Sequence, residues 1–146
     1  MPAYMPEAKS VEWYTPMEIF KPLYDQYQFT LDVCARDIDA AMLPKFFTPE
    51  QDGLAQDWTG ERCWMNPPYG RGIDKWVAKA RNHNVVALLP ARTDTKWFHE
   101  HVLPYGVITF LRGRVKFING ETGQPMAPAP FPCMIVRWDG EPFKPA

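Results

Sequence analysis

The chain has 146 residues, enough for one domain and too few for a second, and a domain of this size buries roughly two thirds of the surface its unfolded chain exposes. Sixteen Lys and Arg against seventeen Asp and Glu give a net charge of −1, which excludes a protein that coats nucleic acid by bulk charge and leaves only a local basic patch for such a contact. Cys34, Cys63 and Cys133 are odd in number and lack any zinc-binding spacing, so a reducing compartment and no metal are expected.

Residues 1–12 are short of core formers and read as a flexible arm ahead of a single domain over 13–146. They carry no leader-like apolar run, and no stretch approaches the length that spans a bilayer, so a cytoplasmic protein without membrane contact is expected. From Thr15-Pro16, a Thr cap and a Pro at the first helical position, Ile19, Phe20, Leu23, Tyr24 and Tyr27 repeat at helical spacing, with Pro22 expected to kink or split the helix. Phe29 to Val33 reads as a short buried strand carrying Asp32 near its end. Residues 35–62 give mixed signals, broken by Pro44, Pro49 and Gly53.

Arg62 to Met65 is a second strand that runs directly into Pro67-Pro68. Ile73, Trp76, Val77 and Ala80 mark a helix of about ten residues, and Val85 to Leu89 is a buried strand ended by Pro90. Asp94 is a cap for a helix bearing Trp97, Phe98 and Val102; Val107 to Leu111 is the next strand, and Arg114 to Phe117 extends it or pairs with it. Cys133 to Trp138 closes the series after a Gly- and Pro-rich loop over 119–132, as a terminal β-hairpin. The alternation of strand and helix implies an α/β fold with a mostly parallel sheet and helices on its faces. Ligands of such sheets bind off the carboxyl ends of the strands, where Asp32, Asn66 and Pro90 fall.

Asn66-Pro67-Pro68-Tyr69 carries the chemistry. An exocyclic adenine amine is a poor nucleophile because its lone pair is delocalised into the ring; two fixed acceptors on its N–H bonds favour the pyramidal form and expose the lone pair. The Asn66 side-chain carbonyl and the Pro67 main-chain carbonyl form that pair, Pro68 stiffens an acceptor-rich turn, and Tyr69 offers a face for an extruded base. A rigid strand-to-helix turn is the structural alternative. Asp32 is read either as an acceptor for a ligand amine or ribose, or as a cap for the next helix. Asp57-Trp58 is read as a receiver for a cofactor adenine, or as a solvated acid beside a core Trp. Arg112, Arg114 and Lys116 alternate, share one face of an extended segment and can meet successive phosphates, with Arg92 extending the patch; a charged edge-strand face is the alternative. His99 and His101 point in different directions on one helix and read as surface residues.

The chain resembles the phage-type Dam family of DNA N6-adenine methyltransferases. The resemblance runs from Trp13 to about Trp138 and is carried by Trp13-Tyr14-Thr15-Pro16, Leu31-Asp32-Val33, Asp52-Gly53-Leu54 with Asp57-Trp58, Cys63 to Tyr69, Leu89 to Asp94 with Trp97-Phe98, and Arg112 to Phe117. It implies a reduced Rossmann-like methyltransferase fold, S-adenosylmethionine as methyl donor, double-stranded DNA as substrate, and a life in phage or prophage genomes within a bacterial host cell. It also assigns Tyr14, Thr15 and Pro16, together with Asp32, Asp57 and Asn66, to the cofactor side. One departure is that no glycine-rich turn comes after the first strand-end acid: Cys34-Ala35-Arg36-Asp37 stands there. Methyl transfer to RNA or to a protein glutamine, and a catalytically silent DNA- or cofactor-binding module, are the competing readings. A homodimer is compatible with all of them.

Overall fold

The computed structural model describes residues 13–140, so the expected arm over 1–12 lies outside the described residues. In chain order the elements are β1 (Trp13–Tyr14), α1 (Met17–Tyr27), β2 (Leu31–Asp32), a 3-10 turn (Gly53–Ala55), β3 (Cys63–Met65), α2 (Ile73–Ala80), β4 (Asn84–Pro90), a π-helical turn (Phe98–Val102), β5 (Val107–Phe110), β6 (Ile118–Asn119) and β7 (Cys133–Asp139). The central sheet has the order β2-β3-β4-β7-β5. β2, β3 and β4 are parallel, whereas β7 is antiparallel to both of its neighbours. The expected terminal hairpin thus exists as the β5–β7 pair, but its last strand is inserted beside β4 rather than left at the edge.

Side chains alternate across this sheet with period two. On one face Val85, Ala87 and Leu89 of β4 and Met134, Val136 and Trp138 of β7 pack with Ile73, Val77 and Ala80 of α2 and with Trp97, Phe98 and Val102. On the other, Val86, Leu88, Cys133 and Ile135 pack with Phe20 of α1, Phe29, Val115 and Phe117. Trp64 anchors that second layer, edge-on to Phe20 at 5.2 Å and tilted on Phe29 at 5.6 Å. β4 and β7 are buried on both faces, which explains their nearly continuous apolar sequences. Among the described residues no helix is long and apolar enough to cross a membrane.

Several local expectations are corrected. α1 runs unbroken through Pro22, because Pro22 and Glu18 both face solvent and the Glu18 carbonyl that loses its partner can turn to water. Its N-cap is Pro16, and no side chain caps it; the Thr15 hydroxyl is engaged by Asn66 instead. Thr95, not Asp94, meets the Phe98 N–H, at 3.3 Å. Residues 114–117 form no strand, although Ala129 N–H on Val115 O and Met126 N–H on Phe117 O hold them extended. His101 is half-buried with Nδ1 3.2 Å from Arg81 Nη1, so only His99 fits the surface reading.

Gly53 shows why a short segment of the resemblance is structural. A Cβ there would stand 2.1 Å from the Val33 carbonyl oxygen, which is backbone and cannot move aside alone. Gly53→Ala is therefore expected to destabilise the fold by about 3 kcal/mol, at the upper end of overpacking costs. Chemical denaturation checks this, and a change within about 0.5 kcal/mol would show that β2 and the 3-10 turn separate freely.

Candidate active site

The carboxyl ends of β2, β3 and β4 open into one cavity of about 280 Å³, at the small end of ligand-pocket sizes. Asp32 enters it from β2, Asn66 to Tyr69 come directly after β3, and Arg92 comes after β4. Tyr14 at the end of β1 and Thr15 just after it reach the cavity from a position held by pairing of β1 with β6. After Tyr69 the chain enters α2 through Gly72 at φ 97°, a left-handed N-cap that favours glycine. Of the residues assigned from sequence, the cavity brings together Tyr14, Thr15, Asp32, Asn66, Pro67, Pro68, Tyr69 and Arg92. Pro16 is buried but does not line it.

Both ends of the Asn66 amide are held. Nδ2 donates to Thr15 Oγ1 at 3.0 Å, and the Tyr69 hydroxyl lies 2.8 Å from Asn66 Oδ1 and 3.0 Å from the Leu88 carbonyl oxygen. A phenol has one proton, so Tyr69 can satisfy Leu88 and leave the Asn66 carbonyl to another donor. Burial pushes the Tyr69 hydroxyl well above its ordinary range, so it stays protonated and remains a donor. Its ring is turned inward, edge-on to Phe117 at 6.0 Å and to Phe131 at 5.6 Å. The three rings make one aromatic wall of the cavity, with the Arg92 guanidinium 5.3 Å from the centre of Phe131.

Asp32 is 2% exposed and accepts the Met42 N–H at 3.0 Å and the Cys34 N–H at 3.2 Å. No helix follows for this acid to cap; its carboxylate closes the adjoining loop instead, and it lines the cavity. Among the described residues no cation pairs with it, and burial raises its carboxyl to about 6, against which the Met42 and Cys34 N–H groups pull only part of the way back. The thiol of Cys34 is pushed up to about 12 by burial and by the neighbouring Asp32 carboxylate, so it is not a thiolate nucleophile near neutral pH.

Sequence reasoning missed Arg36, Ala40, Met42 and Pro49, which roof the cavity. They come from the stretch with mixed signals, which folds back on β2: Asp32 N–H donates to Lys45 O, Phe47 N–H to Asp32 O, and Ala35 N–H to Phe47 O. No local periodicity marks that return. Phe117 and Phe131 are legible in the sequence only as apolar residues beside a basic run and in a loop.

Asp57-Trp58 is corrected as a cofactor site. Both precede β3 and stand near Lys79 and His83, at the amino end of the sheet, away from the cavity. The Thr59 hydroxyl, and with it the Thr59 N–H at 2.9 Å, donates to the Asp57 carboxylate and holds it below the usual carboxylate range. Trp58 has no open face: it is fully buried, stacked on Trp76 at 6.2 Å, covered by Lys79, and its Nε1 donates to Gly53 O. Arg114 and Lys116 are exposed on either side of buried Val115, whereas Arg112 is separated from them by a bend at exposed Gly113 (φ 80°), so the expected alternation holds over 114–117, without a strand, and does not include Arg112. Arg114 also donates to Ala129 O at 3.2 Å.

Fold and cavity together define an α/β protein with a cavity at the carboxyl ends of its parallel strands, the place where sheets of this kind bind ligands. The profile of a family described as DNA N-6-adenine-methyltransferase (Dam) matches residues 3–144. The chain belongs to this family. It is 36% identical over 135 residues to a DNA N-6-adenine-methyltransferase of Haemophilus phage HP1, covering 87% of this chain and 78% of that one. It is also 31% identical over 141 residues to a DNA N-6-adenine-methyltransferase of Escherichia phage T1, covering 82% of this chain and 58% of the longer relative.

Proposed function

We propose that this chain transfers a methyl group from S-adenosylmethionine to the N6 amine of adenine in double-stranded DNA, within a reduced Rossmann-like fold. Family membership supports the reaction. The single observation that supports the site is the Asn66 carbonyl, held by its own amide's bond to Thr15, in the cavity that also holds a buried carboxylate without a cation. Asp32 fits the cationic part of the cofactor and Arg36 its carboxylate. When bound, the cofactor supplies an electrophilic methyl on a sulfonium sulfur.

The chain's own residues do the rest. Asn66 Oδ1 and the Pro67 carbonyl accept the two amine N–H bonds and direct the lone pair along the line of attack. Tyr69 gives its proton to Leu88 O as the amine takes its place on Asn66. Tyr69, Phe117 and Phe131 form the surface that receives the extruded base and keeps water away. With the methyl on the amine nitrogen the donor would leave as a neutral thioether, and the amine, held by Asn66 and Pro67, would release one proton to solvent as the site reopens. Arg92, Arg112, Arg114 and Lys116 meet the phosphates.

Labelled methyl transfer to plasmid DNA, RNA and protein in parallel tests the reaction: label is expected in DNA adenine, and label confined to RNA or protein would overturn it. Sedimentation of the same preparation with and without DNA reads whether a second copy joins. For the phosphate contacts, Arg112→Gln with Lys116→Gln is expected to reduce the slope of log affinity against log salt by about two, one per phosphate lost. An unchanged slope would remove both residues from the DNA path.

A further inference from the structure

Thr15 is 6% exposed, lines the cavity and accepts from Asn66 Nδ2 at 3.0 Å, across 51 positions of sequence. A Thr hydroxyl that accepts still has one proton to give. Asn66 can satisfy this neighbourhood in two orientations. In one, Nδ2 faces Thr15 and the carbonyl faces Tyr69, as in the structure. In the reverse, the carbonyl would take the Thr15 proton and Nδ2 would face the Tyr69 oxygen while Tyr69 donates to Leu88. The reverse form presents an N–H to an incoming amine and is unproductive. The destination of the Thr15 proton separates the two.

We propose that Thr15 is a positioning residue: by giving its proton to an acceptor in the occupied cavity, it makes its oxygen the obligatory acceptor of Asn66 Nδ2 and turns the Asn66 carbonyl toward the target amine. This rests on the reading of Asn66 as an amine acceptor. It gives Thr15 a role beyond lining the cofactor site, because occupancy of the cavity selects the productive amide orientation before the base arrives. The pairing of β1 with β6 holds the Thr15 backbone where this bond can form.

Three variants test it at saturating cofactor and DNA, with thermal unfolding as a check on folding. Thr15→Val removes the hydroxyl at nearly constant shape and is expected to lower kcat about tenfold, the shift expected from leaving one buried N–H without its acceptor. Thr15→Ser keeps the hydroxyl and is expected to keep most of the rate. On an Asn66→Asp background the Thr15→Val cost should vanish, since both carboxylate oxygens accept and there is no amide to orient; a role for Thr15 in packing alone would keep the cost. Hydrogen exchange of the Asn66 side-chain amide, monitored by NMR with cofactor bound, should be slow in the wild type and in Thr15→Ser, and fast in Thr15→Val. Wild-type kcat and slow exchange in Thr15→Val would overturn the proposal while leaving the Asn66 site standing. Wild-type turnover in Asn66→Ala would instead overturn the site itself.

Discussion

Replacing Asn66 with Ala is expected to lower single-turnover methyl transfer at least about a hundredfold, the cost of deleting one well-placed polar group at a transition state. The fold should survive. Asn66 is half-buried, and its two partners have alternatives: Tyr69 already lies 3.0 Å from Leu88 O, and the Thr15 hydroxyl faces the cavity. A stability loss of about 1 kcal/mol, that of one ordinary hydrogen bond, is the expected ceiling. The rate should fall in kcat more than in DNA affinity, because the acceptor matters only as the amine becomes pyramidal. Turnover on plasmid DNA measured beside thermal unfolding separates the two effects. Wild-type turnover, or a rate loss that merely tracks unfolding, would remove Asn66 from the reaction.

The second large effect concerns Asp32, where function and stability are expected to move in opposite directions. Its carboxyl is raised from 3.8 to about 6, a difference worth about 3 kcal/mol. Since the folded value lies above the unfolded one, this group's favourable contribution is fully present below about pH 4 and lost as pH rises through 6. Above pH 6 the fold carries a buried charge that no described residue counters. A cationic ligand in the cavity offsets that cost, so cofactor affinity in the wild type should weaken as pH falls below 6. Asp32→Asn keeps an acceptor for the Met42 or Cys34 N–H and removes the charge. At pH 8 it should bind S-adenosylmethionine about ten- to a hundredfold more weakly, yet unfold at no lower denaturant concentration than the wild type. Calorimetric titration at pH 5 and pH 8 decides it: equal affinity for both proteins at both values would take Asp32 out of the cofactor's reach.

Sequence alone determined the parts whose signal is local. The apolar runs at Val85–Leu89 and Cys133–Trp138 are strands buried on both faces, and no other local structure suits such β-branched stretches ending in Pro90 or a turn. The strand-to-turn step into Asn66-Pro67-Pro68-Tyr69 and the solvent-facing alternation of Arg114 and Lys116 about Val115 were legible for the same reason, since period and proline chemistry act over a few residues, whereas the bend at Gly113 takes Arg112 out of that pattern. Only the tertiary structure decided which distant segments close the site. The return of residues 35–47 over Asp32, the insertion of β7 between β4 and β5, and the meeting of Thr15 with Asn66 depend on long loops whose closure no short pattern encodes. The same limit explains Asp57-Trp58: an acid beside an aromatic has the right chemistry for a cofactor ring, but the direction of β3 places it at the amino end of the sheet, and burial spends the indole on the core. Residue chemistry is written along the chain, whereas which end of a strand it reaches, and which groups stand opposite, is set by packing across the sheet.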